Sequence, residues 1–223
     1  MSIPEIELYA AKQHMSISDK AELYFDQGIE LYADGQIELA IKCFSEAIQL
    51  KPNYTDAYYR RGNAYGYSLR QYERAIQDYD KTIQLKPNYA EAYFDRGNAY
   101  RGLKQYERAI QDYNKAIRLN PNDADYYGAR GSAYSSSAYR SRNLGQYERA
   151  IQDYNKAIQL NPNEADYYDG LGVVYMCGLK QYDTALSYYA KAMNLKPNVR
   201  YYYENYQQCL RACERSRRPG YND

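Results

Sequence analysis

The chain has 223 residues, with 29 Lys and Arg against 28 Asp and Glu and a net charge of +1. That balance removes any general electrostatic reason to expect nucleic acid or an anionic membrane as partner. No stretch approaches the roughly 18 apolar residues of a membrane span, and 32 Tyr beside 3 Phe and no Trp make tyrosine the main aromatic filler.

Residues 1–20 read as an N-terminal capping arm. Ser2 and Glu5, with Pro4 and Ile6, form a capping-box pattern that opens a short helix to about Gln13. No apolar run marks a signal peptide. Met1 and caps at both ends favour a whole chain. From residue 21 the sequence repeats. Gln71–Asn88 reads QYERAIQDYDKTIQLKPN, Gln105–Asn122 reads QYERAIQDYNKAIRLNPN, and Gln146–Asn163 reads QYERAIQDYNKAIQLNPN. The closing prolines Pro52, Pro87, Pro121, Pro162 and Pro197 are spaced by 35, 34, 41 and 35 residues. Each unit reads as two helices. In residues 90–123, Tyr93, Gly97 and Tyr100 form the stripe of the first helix, and Ala109, Tyr113 and Ala116 that of the second. Pro121 ends the unit because proline cannot continue a helix. Neither helix buries its stripe alone, so neighbouring units must stack.

The predicted units are 21–54, 55–89, 90–123, 124–164 and 165–199. A period near 34 with Gly28, Gly62, Gly97, Gly131 and Gly172, with Ala40, Ala75, Ala109, Ala150 and Ala185, and with the closing prolines resembles the tetratricopeptide repeat family. The resemblance covers about four-fifths of the chain. It implies an all-α fold: a right-handed superhelical solenoid of antiparallel helix pairs, with five repeats and capping helices. The near-identity of the central units points to recent internal duplication, and the tyrosine-rich array resembles the bacterial style.

The chain departs from the family at its leucine position, where it has Gln27, Arg61, Arg96, Arg130 and Leu171. The second helices of the middle units carry Asp78, Asp112 and Asp153, whereas the outer units carry Cys43 and Tyr188. Arg61–Asp78, Arg96–Asp112 and Arg130–Asp153 are therefore expected as ion pairs. The fourth unit has seven extra residues around Tyr134–Asn143. Seven residues are nearly two helical turns with little phase drift, so the insert is read as lengthening one or both helices; a Ser-rich loop is the alternative. It is either an ornament or a second contact surface. Residues 200–217 read as a final capping helix carrying Tyr203, Tyr206 and Leu210, and 218–223 as a flexible tail.

No chemistry is expected. The single His14 lies outside the repeats, and one histidine argues against a His-based triad or a His-containing metal cluster. Glycine-bearing segments such as RGNAYG follow no strand and cradle no phosphate. Cys209 and Cys213 share a helix face and read as small apolar residues rather than a metal or redox pair. Cysteine use and the absence of a leader point to a reducing, cytoplasmic setting. No enzyme, cofactor or metal is predicted.

The family resemblance implies that the first helices line a concave groove where partner peptides lie. Groove positions carried over unit by unit begin with an acidic lip at Glu22, Asp56, Glu91, Asp125 and Asp166. Next come Phe25, Tyr59, Phe94, Gly128 and Asp169. Chaperone-binding relatives place lysine at such positions in a carboxylate clamp, so that clamp is expected to be absent despite Asn63 and Asn98. The candidate site is Phe25, Tyr59, Arg60, Asn63, Phe94, Asn98, Arg101 and Ser132. Its asparagine amides are read as pairing with a peptide backbone, its aromatic walls as holding apolar side chains, and its lip as favouring a basic or amphipathic ligand. The reading is a non-catalytic adaptor or assembly scaffold with a protein or peptide partner, no nucleic acid and no membrane. The alternative is a homo-oligomer formed through exposed tyrosines, read as Tyr59, Tyr67, Tyr126, Tyr167, Tyr188, Tyr201 and Tyr202. Stacking of single-stranded nucleic acid on those tyrosines is opposed by the charge balance.

Overall fold

The second helices start and stop where local sequence dictates. They span α2 (Ile37–Leu50), α4 (Tyr72–Leu85), α6 (Tyr106–Leu119), α8 (Leu144–Leu160) and α10 (Tyr182–Leu195). Each ends two residues before a proline, as expected when proline denies the residue before it the helical conformation. The first helices are α1 (Ile17–Ala33), α3 (Thr55–Asn63), α5 (Ala90–Gly102), α7 (Ala124–Ser141) and α9 (Ala165–Val173), and α11 (Arg200–Ser216) follows the last proline. The computed structural model describes residues 13–217 together with Glu5 and Tyr9. The expected capping box at Ser2 and the tail at 218–223 lie outside the described residues. Within them the fold is all-helical.

α1 begins at Ile17, ahead of the expected unit start at residue 21. Its capping box is Ser16 with Asp19: the Asp19 amide donates to Ser16 Oγ at 3.1 Å, and the Ser16 amide donates to Asp19 Oδ2 at 3.3 Å. Between the two helices of each pair one residue adopts the left-handed conformation. Gly35 does so in the first pair, and Arg70, Lys104, Arg142 and Lys180 do so in the others. Four of the five turns thus carry a side chain where glycine is the unstrained choice.

The repeat lengths explain a second irregularity. The two 35-residue spacings, to Pro87 and to Pro197, each contain one residue more than the 34-residue spacing to Pro121. That residue is absorbed as a π turn at the end of the first helix, Ala64–Ser68 after α3 and Val174–Gly178 after α9. There Leu69 N donates to Ala64 O and Leu179 N to Val174 O, five residues back, whereas Leu103 N at the end of α5 donates four residues back to Ala99 O. A π turn accommodates a one-residue insertion without turning the rest of the helix out of register. The seven-residue insert is taken up by both helices: α7 has 18 residues and α8 has 17, against 13 and 14 in α5 and α6. The expectation of lengthened helices describes the insert, and the Ser-rich loop does not. Ser135 and Ser137 are buried, and Ser137 Oγ donates to Glu107 Oε1 at 3.2 Å.

The chain divides into two compact units, residues 1–105 and 106–223, with the division falling in the turn between α5 and α6. In the first unit the core joins Tyr24 of α1 to Cys43 and Ala47 of α2, and Ala75 and Tyr79 of α4 to Ala99 of α5. In the second it joins Tyr147, Ala150 and Tyr154 to Tyr167, Leu171 and Val174, with Tyr189 against Cys209 of α11. The helices of a pair cross where glycine allows it. A Cβ on Gly62 would lie 2.8 Å from the Tyr79 ring, and one on Gly172 would lie 2.6 Å from the Tyr189 ring.

The arginines at the family's leucine position are structural. Arg61 grips Asp78 through Nε at 2.8 Å and Nη2 at 2.7 Å, and Arg130 grips Asp153 at 2.8 and 2.6 Å. The two planar forks also stack over half-buried Tyr58 and Tyr127. A further contact was not expected: the remaining nitrogen reaches back to the previous second helix, from Arg61 to Ser45 Oγ at 2.9 Å and from Arg130 to Asn114 Oδ1 at 2.5 Å. Arg96 makes the corresponding backward contact to Asp80 Oδ1 at 2.5 Å. Its expected partner Asp112 belongs to the other unit.

A buried carboxylate and an aromatic face on the first helices

Helices α1, α3 and α5 of the first unit carry seven of the eight predicted site residues, and Ser132 lies on α7 of the second. Phe25 on α1 is half-buried, its ring 4.9 Å from that of Tyr54 and 5.9 Å from that of Phe44. Tyr59 on α3 repeats the arrangement, 4.8 Å from Tyr89 and 6.1 Å from Tyr79. Both partner tyrosines come from the turn that closes the unit, so each groove aromatic leans on the residue preceding the next first helix. Phe94 and Ser132 are half-buried, and Arg60 and Arg101 are exposed.

The asparagines have partners of their own. Asn63 Oδ1 accepts the Tyr79 phenol at 2.8 Å, and Asn98 Nδ2 donates to the Tyr67 phenol at 3.2 Å. Both half-buried amides thus take part in a side-chain network within the unit. At the centre of that network is a residue the sequence reading passed over, Asp95 on α5, which is only 7% exposed. Its Oδ2 accepts the Tyr59 phenol at 2.7 Å, and its Oδ1 accepts the phenol of Tyr67 from the π turn. Burial raises the Asp95 carboxyl above its ordinary range, and the hydrogen bonds from Tyr67, Tyr59 and Asn98 pull it back only in part. The extra residue of the 35-residue unit brings Tyr67 onto Asp95, but the spacing alone does not say where that residue goes.

The second unit covers the corresponding positions with its own chain. Gly128 is overlain by the Tyr167 ring, 2.5 Å from where a Cβ would stand, and the Tyr167 phenol donates to Asp125 Oδ1 at 2.5 Å. Asp169, 6% exposed, accepts Asn205 Nδ2 at 2.7 Å and the Tyr201 phenol at 3.2 Å, and Asp166 accepts the Tyr202 phenol at 2.6 Å. Two carboxylates of the predicted lip are thus engaged by tyrosines of the following helix. This also corrects the pool of exposed tyrosines. Tyr126, Tyr167 and Tyr202 are buried, Tyr59 and Tyr188 are half-buried, and of the seven only Tyr67 and Tyr201 are exposed. Tyr59, Tyr167 and Tyr202 bridge successive first helices, which a reading of one unit at a time does not reveal, and Tyr188 stacks on Tyr175 within its own pair.

Among the described residues no group of three or more His, Cys, Asp or Glu is placed to hold a metal ion, and no helix is long and apolar enough to cross a membrane.

Models of the tetratricopeptide repeat match residues 28–66, 67–103 and 138–176, and further models of the same repeat match 90–123, 112–152 and 165–199. Among solved structures, MamA from residue 41 onward, from Desulfovibrio magneticus RS-1, is 28% identical with a TM-score of 0.73, covering 82% of this chain and 98% of that one. YrrB, described as a repeat protein of this kind with an unusual peptide-binding site, is 19% identical with a TM-score of 0.70 over 94% of this chain and 97% of its own. At that identity it shares the fold alone. An uncharacterized protein of Methanocaldococcus jannaschii, MJ0572, is 40% identical over 45 residues, 20% of this chain, and the match spans about half (52%) of that protein's length.

Proposed function

Because the chain belongs to the tetratricopeptide repeat family, a family of protein-interaction scaffolds, we propose that it is a non-catalytic adaptor that captures a segment of a partner protein on the α1, α3 and α5 face of its first unit. The observation that carries this reading is the contrast between the two units. Phe25, Tyr59 and Phe94 stand half-buried on successive first helices, whereas the corresponding positions Gly128 and Asp169 are overlain by tyrosines of the same chain. Binding energy would come from these few aromatic anchors, with Arg60, Arg101 and the carboxylates Glu22, Asp56 and Glu91 setting selectivity and encounter rate. A peptide-binding site is described on YrrB, so the fold is compatible with such a use. Ser132, in the other unit, is not needed for this reading.

The test is affinity capture from source lysate read by mass spectrometry. Wild type is compared with Phe94→Ala/Arg60→Glu/Arg101→Glu, after circular dichroism shows that the variant keeps its helicity. A protein held by wild type and lost by the variant supports the face. Equal retention by both moves the site elsewhere, and recovery of the bait alone favours the homotypic alternative.

A further inference from the structure

We propose that Asp95, with the rings of Tyr59, Tyr67 and Tyr89, forms a subsite for one cationic side chain, the guanidinium or ammonium group of a basic peptide. The inference deepens the adaptor reading and rests on it. Among the described residues the other buried carboxylates are Asp78, Asp112, Asp153 and Asp169. Asp78 and Asp153 each hold an arginine fork, and Asp169 is covered by Tyr201 and Asn205 of α11. Asp95 is equally buried, yet its partners are neutral phenols and an amide, and no Lys or Arg among the described residues pairs with it. A carboxylate withdrawn from water among neutral donors gains most from a cation that reaches it. The two phenols and the Asn98 amide take three of the acceptor positions of the carboxylate, which leaves about one for an incoming donor.

The surroundings fit a cation rather than an anion. Asp56, Glu91 and Asp95 all act on the Tyr89 phenol, with Arg60 as the opposing charge. Lys86 Nζ already lies 4.4 Å from the centre of the Tyr89 ring, so the wall takes a cation where one is tethered nearby. Access is governed by one residue. Tyr67 sits on the π turn, is 52% exposed and covers Oδ1. An incoming guanidinium takes the place of its phenol on Asp95, and the Tyr59 and Tyr89 rings, in contact with each other at 4.8 Å, offer one aromatic wall to the ligand's methylenes.

Fluorescence anisotropy tests this with fluorescein-labelled Gly-Leu-Arg-Leu-Gly amide and its counterpart in which neutral citrulline replaces arginine. Wild type is expected to bind the arginine peptide about tenfold more tightly than the citrulline peptide. That ratio should fall to near one in Asp95→Asn, with unchanged circular dichroism. Equal binding of the two peptides by wild type, no binding of either, or an unchanged ratio in Asp95→Asn overturns the subsite. If Asp95→Asn does not fold, Tyr67→Phe decides: it frees Oδ1 and should raise the ratio, and an unchanged or lower ratio counts against the proposal. Loss of the lysate partner in the Phe94 variant with no arginine preference would leave the adaptor reading standing and remove the Asp95 subsite alone.

Discussion

The Tyr59 phenol on α3 donates to Asp95 on α5 at 2.7 Å, so a tyrosine of one first helix is fixed by a carboxylate of the next. The bond ties two successive pairs through their first helices and leaves a buried charge without a cation. Burial holds the Asp95 carboxyl above its ordinary value. A carboxyl raised in the folded state favours folding when it is protonated. Its contribution is complete below the unfolded pKa and is lost as pH rises through the folded one. Asp95→Asn removes that dependence. The melting temperature of the variant should therefore exceed that of wild type by more at about pH 7 than at about pH 4. A difference that is constant or grows on acidification would contradict this account.

The arginine forks have a different energetic character. Arg61 and Asp78 side chains are 19% and 6% exposed. Removing the arginine alone leaves an uncompensated buried carboxylate, so Arg61→Leu should cost about 3–5 kcal/mol in denaturant unfolding. Replacing both, Arg61→Leu with Asp78→Leu, should return stability to within about 1 kcal/mol of wild type or above it. The outer repeats already use Gln27 with Cys43 and Leu171 with Tyr188.

Tyr79 and Tyr189 occupy the same place in two repeats but meet different neighbours. The Tyr79 phenol donates to Asn63, whereas Val173 stands at the corresponding position in the last repeat, and the Tyr189 hydroxyl, fully buried, has no partner among the described residues. Tyr79→Phe should thus destabilise by about 1 kcal/mol, and Tyr189→Phe should be neutral or stabilising by up to about 1–3 kcal/mol. Chemical denaturation of the two variants checks the difference in sign.

The π turn after α3 gives a fourth test. Deleting Tyr67 returns that unit to the 34-residue spacing, and the turn should close as α-helix with helicity retained and a loss of about 1 kcal/mol from the missing phenol on Asp95. Deleting Ala99 inside α5 instead rotates everything after it by about 100° and should abolish cooperative unfolding. Thermal melts followed by circular dichroism distinguish the two.

The period determined the architecture. Glycine at each helix crossing, alanine and tyrosine at helical spacing, and proline two residues past each second helix leave one solution: paired helices that bury their stripes only by stacking. Two of the three expected arginine–aspartate pairs, Arg61–Asp78 and Arg130–Asp153, were also legible, because both partners appear in the middle repeats and both are missing from the outer ones. What tertiary structure decided is what lies between repeats. A one-residue difference in spacing says nothing about where the extra residue goes; packing resolved it as a π turn that places Tyr67 on Asp95. Tyr167 and Tyr202 looked exposed because, within a single repeat, nothing covers them; the preceding first helix does. Asp95 was passed over, since a helical stripe assigns a face but not the partner across it. Contacts within a pair are local in sequence and recur with the period. Those between successive first helices join positions some 36 residues apart, and they depend on which side chain each repeat happens to carry there.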